Sequence, residues 1–304
     1  MAIVLIAGGS GLIGERLSFL LKAAGYEVRH FSRAVKPASP YPTYVWDVDK
    51  GTYDATAFEG VTHVINLAGA GIADARWTSS RKRLIIESRT ASTRLLKKGI
   101  AAYGPEVKAY LAGSAIGYYG NRGDDWLPET AAPGKGFLSE SVQLWEAAIA
   151  ELTAELNLPT LLVRTGIVLS TQGGALPKML LPLQVLTSTY FGDGQQWYAW
   201  IHIDDLCRIF VRGVADDTFR GCYNGVSPHP ARNKTLAQAL ITATGKPAVL
   251  LPAPALALQF ALGEMSHTVL DSARVSAQKL EASGFVFEYP ELVPALQDLL
   301  ERKI

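Results

Sequence analysis

Apolar residues in the first 170 positions of this chain come in short runs, separated by longer amphipathic stretches. The runs are AIVLIAG from residue 2, YEVRHFS from 26, THVINLAG from 62, VKAYLAGSA from 107 and LPTLLVRTGIVL from 158. An apolar run bounded by turn residues is the pattern of a strand covered on both faces, and the spacing between the runs is that of amphipathic helices. The alternation predicts an α/β chain with a parallel sheet layered by helices. After Val168 the rhythm changes: Gly and Pro thicken through STQGGALPKMLLP, a Gly-Asp-Gly turn follows at 192 to 194, and Pro228, Pro230, Pro247, Pro252 and Pro254 interrupt the rest. The reading is a sheet domain over 1–169, with 199–226 returning to it, and a smaller, mainly helical lobe over 170–304.

The stretch AGGSGLIGERL sets Gly8, Gly11 and Gly14 three apart, directly after the first run and at the start of a helix. A dinucleotide needs this arrangement, because its pyrophosphate must rest on bare backbone N–H groups at a helix N-terminus, here including those of Leu12 and Ile13. The second run then discriminates between cofactors. An acidic residue at its end would bind a ribose 2′-hydroxyl, but Ser32 and Arg33 stand there, and a hydroxyl beside a guanidinium suits a 2′-phosphate. NADP(H) is therefore the expected cofactor. Asp47, closing YVWD, is placed by position to accept from the adenine amine, and Leu67, Ala68 and Gly69 of NLAG give a backbone edge at the ligand rim of the sheet.

Composition changes this picture little. A formal charge of +1 on 304 residues and 48% hydrophobic residues describe an ordinary globular chain of one large or two unequal domains. Cys207 and Cys222 are too few for a disulfide framework, which points to buried thiols in the cytoplasm. No apolar run is long enough to span a bilayer, so no membrane is expected. RWTSSRKRLIIESRTASTRLLKK is dense in cations, yet its apolar positions fit a helix wet on one face, and no nucleic-acid partner is expected. No His, Asp or Glu cluster has metal spacing, so no metal is expected.

The succession G-x-x-G-x-x-G, NLAG, GSAIGYYG and VRTGIVL resembles the extended short-chain dehydrogenase/reductase superfamily. More narrowly, NLAGAGIADARWTSSRKRLIIESRTASTRLL, LWEAA, GGALPKMLLP and WIHIDDL resemble its atypical epimerase family branch, which carries a C-terminal domain of unknown function. The resemblance covers nearly the whole chain. It implies a Rossmann doubly wound sheet, a Ser or Thr that hydrogen-bonds the reacting oxygen, here Ser114, and a backbone at Gly166 and Ile167 lying against the nicotinamide carboxamide. It also implies a tyrosine and a lysine four residues apart, which fall at Leu138 and Val142. Both are aliphatic. Relatives commonly carry asparagine where Arg89 stands, near the cofactor, so an inward guanidinium there is expected to meet phosphate or substrate charge.

Without the tyrosine and lysine, alcohol oxidation loses its base, because a phenol near its free pKa of about 10 is a poor one. Carbonyl or enone reduction is more forgiving, since a polarising hydrogen bond and a nearby hydroxyl suffice. Tyr118 is the first choice of proton donor, four residues after Ser114. Tyr119, Arg164, Lys178, Trp200 and His202 complete the expected substrate side, although a structural histidine capping near Asp204 or Asp205, and an ion pair at Arg164, are the competing readings. The expected protein is an NADP(H) oxidoreductase of a small carbonyl or activated double bond, monomeric or homodimeric. A non-catalytic NADPH-binding sensor or scaffold, or a nucleotide-sugar epimerase or dehydratase, stands as the alternative.

Overall fold

The computed structural model describes residues 2–34 and 37–302. Its strands include β1 (Ile3–Ala7), β2 (Glu27–Ser32), β3 (Thr43–Asp47), β4 (Thr52–Tyr53), β5 (Val61–Asn66), β6 (Ala109–Ala115), β7 (Trp126–Leu127), β8 (Thr160–Thr165), β9 (Ile167–Leu169), β10 (Thr187–Phe191), β11 (Trp197–Tyr198), β12 (Trp200–His202) and β13 (Gly221–Gly225). Eight of them form one sheet in the order β13-β8-β6-β5-β1-β2-β3-β4, parallel except for the β3–β4 hairpin. This is the Rossmann doubly wound arrangement. The order reverses beside β1, which lies between β2 and β5, and the crevice at such a reversal is where open α/β sheets bind ligands.

The apolar run of β1 is fully buried because helices cover both of its faces. Val4 and Ile6 pack with Leu17 and Leu21 of α1 (Leu12–Ala23) and with Leu206, Ile209 and Phe210 from residues 203–215. Leu5 and Ala7 face the other way, toward Leu95 and Leu96 of α2 (Ser79–Tyr103) and Trp145 and Ile149 of α3 (Phe137–Leu156). The period of two along one strand thus feeds two cores, and each buried leucine contributes about 1.5–3 kcal/mol.

LPTLLVRTGIVL does not run as one strand. It breaks at Gly166, where an added Cβ would lie 2.4 Å from the Ala199 carbonyl oxygen, and β9 turns away to pair with β12. The later residues give α4 (Leu176–Leu180), α5 (Ile203–Ala215), α6 (Asn233–Thr244), α7 (Ala255–Leu262), α8 (His267–Leu270), α9 (Gln278–Ala282) and α10 (Leu292–Glu301), with a parallel pair of β10 and residues 249–253. Of these, α5 packs on the sheet beside α1, and β13 forms its edge beyond β8. Among the described residues no helix is long and apolar enough to cross a membrane.

Candidate functional site

The glycine turn leaves β1 with Gly8 at φ +84°, and a Cβ there would lie 2.8 Å from the Leu67 carbonyl carbon and 2.9 Å from the Ala68 nitrogen. Gly8 therefore lets the turn rest directly on the NLAG loop. Gly11 is the N-cap of α1, and no side chain caps the helix, so the first-turn amides stay available to a ligand. A Cβ on Gly14 would sit 2.3 Å from the Gly8 carbonyl oxygen, and one on Gly9 would strike the His30 ring at 2.3 Å. Sequence reading passed over Gly9. Its signal is the buried His30 of β2, whose ring fills the space under the turn and meets Ser18 Oγ at 2.7 Å. Ser32 is buried at the end of β2, and Arg33 beside it is exposed.

The second wall is built by β5 and its loop. Asn66 Oδ1 accepts from the Ala68 N–H at 3.1 Å, while its Nδ2 donates to the Tyr110 hydroxyl at 2.9 Å, which fixes Leu67, Ala68 and Gly69 against the glycine turn. Arg89 reaches up from the middle of α2. Its Nη1 donates to the Ala70 and Ile85 carbonyls at 3.0 and 2.9 Å, and its Cζ stands 5.1 Å above the Trp145 ring. Gly69 has to be glycine to admit it, because a Cβ would lie 2.9 Å from that Cζ.

At the carboxyl end of β6 the structure assembles a cluster whose centre sequence reading used only as a landmark: Glu146 of α3. Ser114, 4% exposed, donates to Glu146 Oε1 at 2.6 Å. Arg164 of β8 holds both carboxylate oxygens, Nε to Oε1 at 2.9 Å and Nη2 to Oε2 at 2.8 Å. Its Nη1 donates to the Tyr119 hydroxyl at 3.1 Å, and that hydroxyl donates in turn to Asn224 Oδ1 at 2.7 Å. The guanidinium lies face-on to the Tyr118 ring at 3.5 Å. Burial alone would lower the Arg164 pKa, but the Glu146 carboxylate outweighs it and holds the value above the usual range. Burial pushes the Tyr119 phenol up to about 12.

Several expected roles change on this geometry. A carboxylate gripped by a guanidinium only accepts, so the Ser114 proton is committed to Glu146 and is not free to polarise a reacting oxygen. Arg164 is spent on the same ion pair rather than on a substrate anion, and Tyr119 is fully buried within the cluster. Trp200 is fully buried, its indole N–H donating to the His229 carbonyl at 2.9 Å. His202 is fully buried too: Nδ1 accepts from the Asp204 N–H as the N-cap of α5, Nε2 meets Asp298 at 3.2 Å, and the ring stacks on Tyr289 at 3.9 Å. These two face the interior and cannot touch a ligand. Asp47 Oδ1 accepts from the Asp49 and Lys50 N–H groups, closing the turn after β3 instead of reaching for a base.

Other residues stay at the cleft. Tyr118 is half-buried, and its hydroxyl has no hydrogen-bond partner among the described residues. Leu138 and Val142 share one face of α3 and close on Gly117, with a Cβ at 117 falling 3.4 Å from Leu138 Cβ and 3.7 Å from Val142 Cγ2. The surface where a tyrosine and lysine would stand is thus packing surface. Gly166 donates to the Gly225 carbonyl at 3.0 Å and Ile167 to Ala199 at 2.8 Å, so both sit at the rim where β8 gives way to β9. Gly173 and Gly174 lie beside the Leu12 side chain, which brings the GGALPKM segment over the start of α1, with Lys178 exposed on α4. The cation-rich loop and helix are partly neutralised: Arg81 pairs with Asp74, Lys82 with Glu264, and Lys97 with Glu151 and Glu155. No group of His, Cys, Asp or Glu among the described residues could hold a metal ion.

Comparison with known proteins gives the chain a context. Residues 4–220 match the NAD dependent epimerase/dehydratase family, and residues 253–299 match a Domain of unknown function (DUF1731). A crystal structure of the human epimerase family protein SDR39U1 (isoform2) with NADPH superposes with a TM-score of 0.87 at 31% identity, covering 99% of this chain and 100% of that one. An epimerase family protein of Staphylococcus aureus is 33% identical over 98% of both chains. The chloroplastic SDR39U1 homolog of Arabidopsis thaliana is 31% identical over 98% of this chain and 86% of its own.

Proposed function

The chain belongs to the NAD dependent epimerase/dehydratase family, and from that premise we propose that it is an NADP(H)-dependent oxidoreductase reducing a small carbonyl or activated double bond. The observation that carries this reading is the cradle at the sheet's reversal point: Gly8, Gly11 and Gly14 are bare of side chains, α1 is uncapped, and β2 ends in Ser32 and Arg33 with no acid. These residues fit a dinucleotide with a 2′-phosphate. The relative crystallised with NADPH supports the same choice. Leu12 and Ile13 would offer N–H groups to the pyrophosphate, Ser32 and Arg33 would receive the 2′-phosphate, and Gly166 and Ile167 would border the nicotinamide. When bound, NADPH supplies the hydride.

The chain's own part is to hold the substrate and deliver a proton. Tyr118 is the donor in this reading, because its hydroxyl is unclaimed while Arg164 pins its ring. Ser114, with its proton given to Glu146, offers lone pairs only, and it orients a substrate by accepting. Lys178, exposed on the segment above the cleft, is placed to meet an anionic substrate edge.

Nicotinamide fluorescence titrated with NADPH and NADH tests the cofactor, with NADPH expected to bind at least tenfold tighter. A panel of carbonyls and enones then tests turnover, which Tyr118→Phe should lower by about a hundredfold or more. Equal affinity for the two nucleotides would remove the roles of Ser32 and Arg33, and unchanged turnover in Tyr118→Phe would remove Tyr118. A second reading rests on α7, where no residue is buried and Leu256 and Phe260 are 80% and 89% exposed. Such a face favours a binding protein that reports on NADPH through a partner. Tight NADPH binding with no turnover across the panel would select it. We place the chain in the cytoplasm, where Cys207 and Cys222, both free, stay reduced.

A further inference from the structure

Arg89 is a half-buried cation with no counterion among the described residues. Among the described residues it makes no ion pair, and its hydrogen bonds all leave Nη1, for the carbonyls of Ala70 and Ile85. Nε and Nη2 have no partner, and neither is sealed from solvent. Burial first, and the like charge of Arg81 second, push its pKa down to about 10, which still leaves it charged near neutrality. A charge drawn partly out of water with no opposite charge beside it is costly to hold, and a ligand anion would offset that cost. Trp145 offers only a ring face, 5.1 Å away.

The position says where compensation would come from. The guanidinium lies against Gly69, two residues beyond Leu67, whose carbonyl the Gly8 turn touches. Its other neighbour is the ring of Trp145 on α3. It therefore stands beside the loop on which the glycine turn rests, with two N–H faces that bond nothing among the described residues.

We propose that Arg89 is the anion receptor of this cleft, its Nε and Nη2 taking one phosphate or carboxylate group of the bound ligand in a bidentate grip. The fork geometry of a guanidinium matches two oxygens of such a group, which an ammonium cannot reproduce. The anion has two possible sources, the pyrophosphate of the dinucleotide or an acidic group of the substrate. The inference rests on the NADP(H) reading of the cleft for its first source alone.

The experiment compares wild type with Arg89→Met and Arg89→Lys by three measurements: NADPH affinity at low and moderate salt, thermal unfolding of the ligand-free protein, and thermal shift by inorganic phosphate with and without saturating NADPH. If the cofactor is the source, Arg89→Met raises the NADPH Kd tenfold or more and flattens its salt dependence, and Arg89→Lys recovers only part. If the substrate is the source, NADPH affinity is unchanged, but the phosphate-induced shift of the NADPH-saturated protein is lost in Arg89→Met. In both cases the ligand-free Arg89→Met protein melts no lower than wild type. Unchanged NADPH affinity together with an unchanged phosphate response overturns the proposal, as does a ligand-free Arg89→Met protein that melts several degrees lower or fails to fold while Arg89→Lys folds and binds normally. If wild type binds no NADPH, the dinucleotide reading fails, and the phosphate shift of the ligand-free protein still decides the role of Arg89.

Discussion

Two arginines reach the carboxyl end of this sheet, and their surroundings differ in almost every respect. Arg164 meets a carboxylate through two hydrogen bonds, a phenol through a third and a tyrosine face beneath its plane. Arg89 meets two carbonyls and an indole face, with no acid. The first is paired within the chain and acts as a brace; the second has no acid beside it among the described residues, and in our proposal the ligand supplies one. Saturation of a buried charge therefore separates scaffold from binding surface more sharply than burial does.

The contrast can be broken most forcefully at the brace. Glu146→Ala strands Arg164 in the interior and is expected to cost about 3–5 kcal/mol in urea denaturation. A loss below about 1 kcal/mol would mean that the pair is not a brace. A second saturated cluster sharpens the point: Asp204 receives Arg16 at 2.6 and 2.8 Å and Arg302 at 2.7 Å. Burial opposes its charge, yet the two arginines outweigh it and hold the carboxyl well below its usual range. Its stabilising contribution is fully present above pH of about 4 and is lost as pH falls through the lowered value. Asp204→Asn should cost about 1.5–3 kcal/mol at neutral pH and blunt that acid-side loss in thermal unfolding scans. His202, in the same knot, has its pKa lowered by burial, so its contribution begins to fade already as pH falls below about 6.5, and His202→Asn should remove that early shoulder. Smaller in stability, Gly69→Ala displaces the Arg89 guanidinium by its new methyl group; unfolding should move by under about 1 kcal/mol while NADPH affinity falls several-fold in a fluorescence titration. A drop in stability without a change in affinity would detach Arg89 from the ligand.

The sheet was legible because its signals are local. Strands β1, β2, β5 and β6 each coincide with one of the apolar runs, and the glycine turn announces itself by three residues that admit no side chain. LPTLLVRTGIVL misled because its break at Gly166 is set by Ala199, which is 33 residues further along the chain but touches it in the fold. The Ser114–Glu146–Arg164 cluster was hidden for the same reason. Ser114, Glu146 and Arg164 lie on three elements and meet only through their register, as Ser114 faces Arg164 across the β6–β8 pair. Tyr119 finds Asn224 across 105 positions. Alternation in WIHIDDL reveals that His202 points away from Ile201 and Ile203, but not that both sides of that segment are interior. The resemblance already marked Arg89 as an inward cation near the cofactor; the folded chain adds that no acid stands beside it among the described residues.

The contact between Arg16 and Asp204 spans 188 positions, and this separation bears on how the protein is made. The helix that follows the glycine turn is made before α5, and the apolar flank the two share stays uncovered until the intervening chain has been laid down, on the order of ten seconds or more at ribosomal speed. Loop closure of that length is slow, and the exposed face is open to wrong partners meanwhile. The glycine turn is thus made well before α5, the helix that buttresses it, and α1 waits with that apolar flank uncovered.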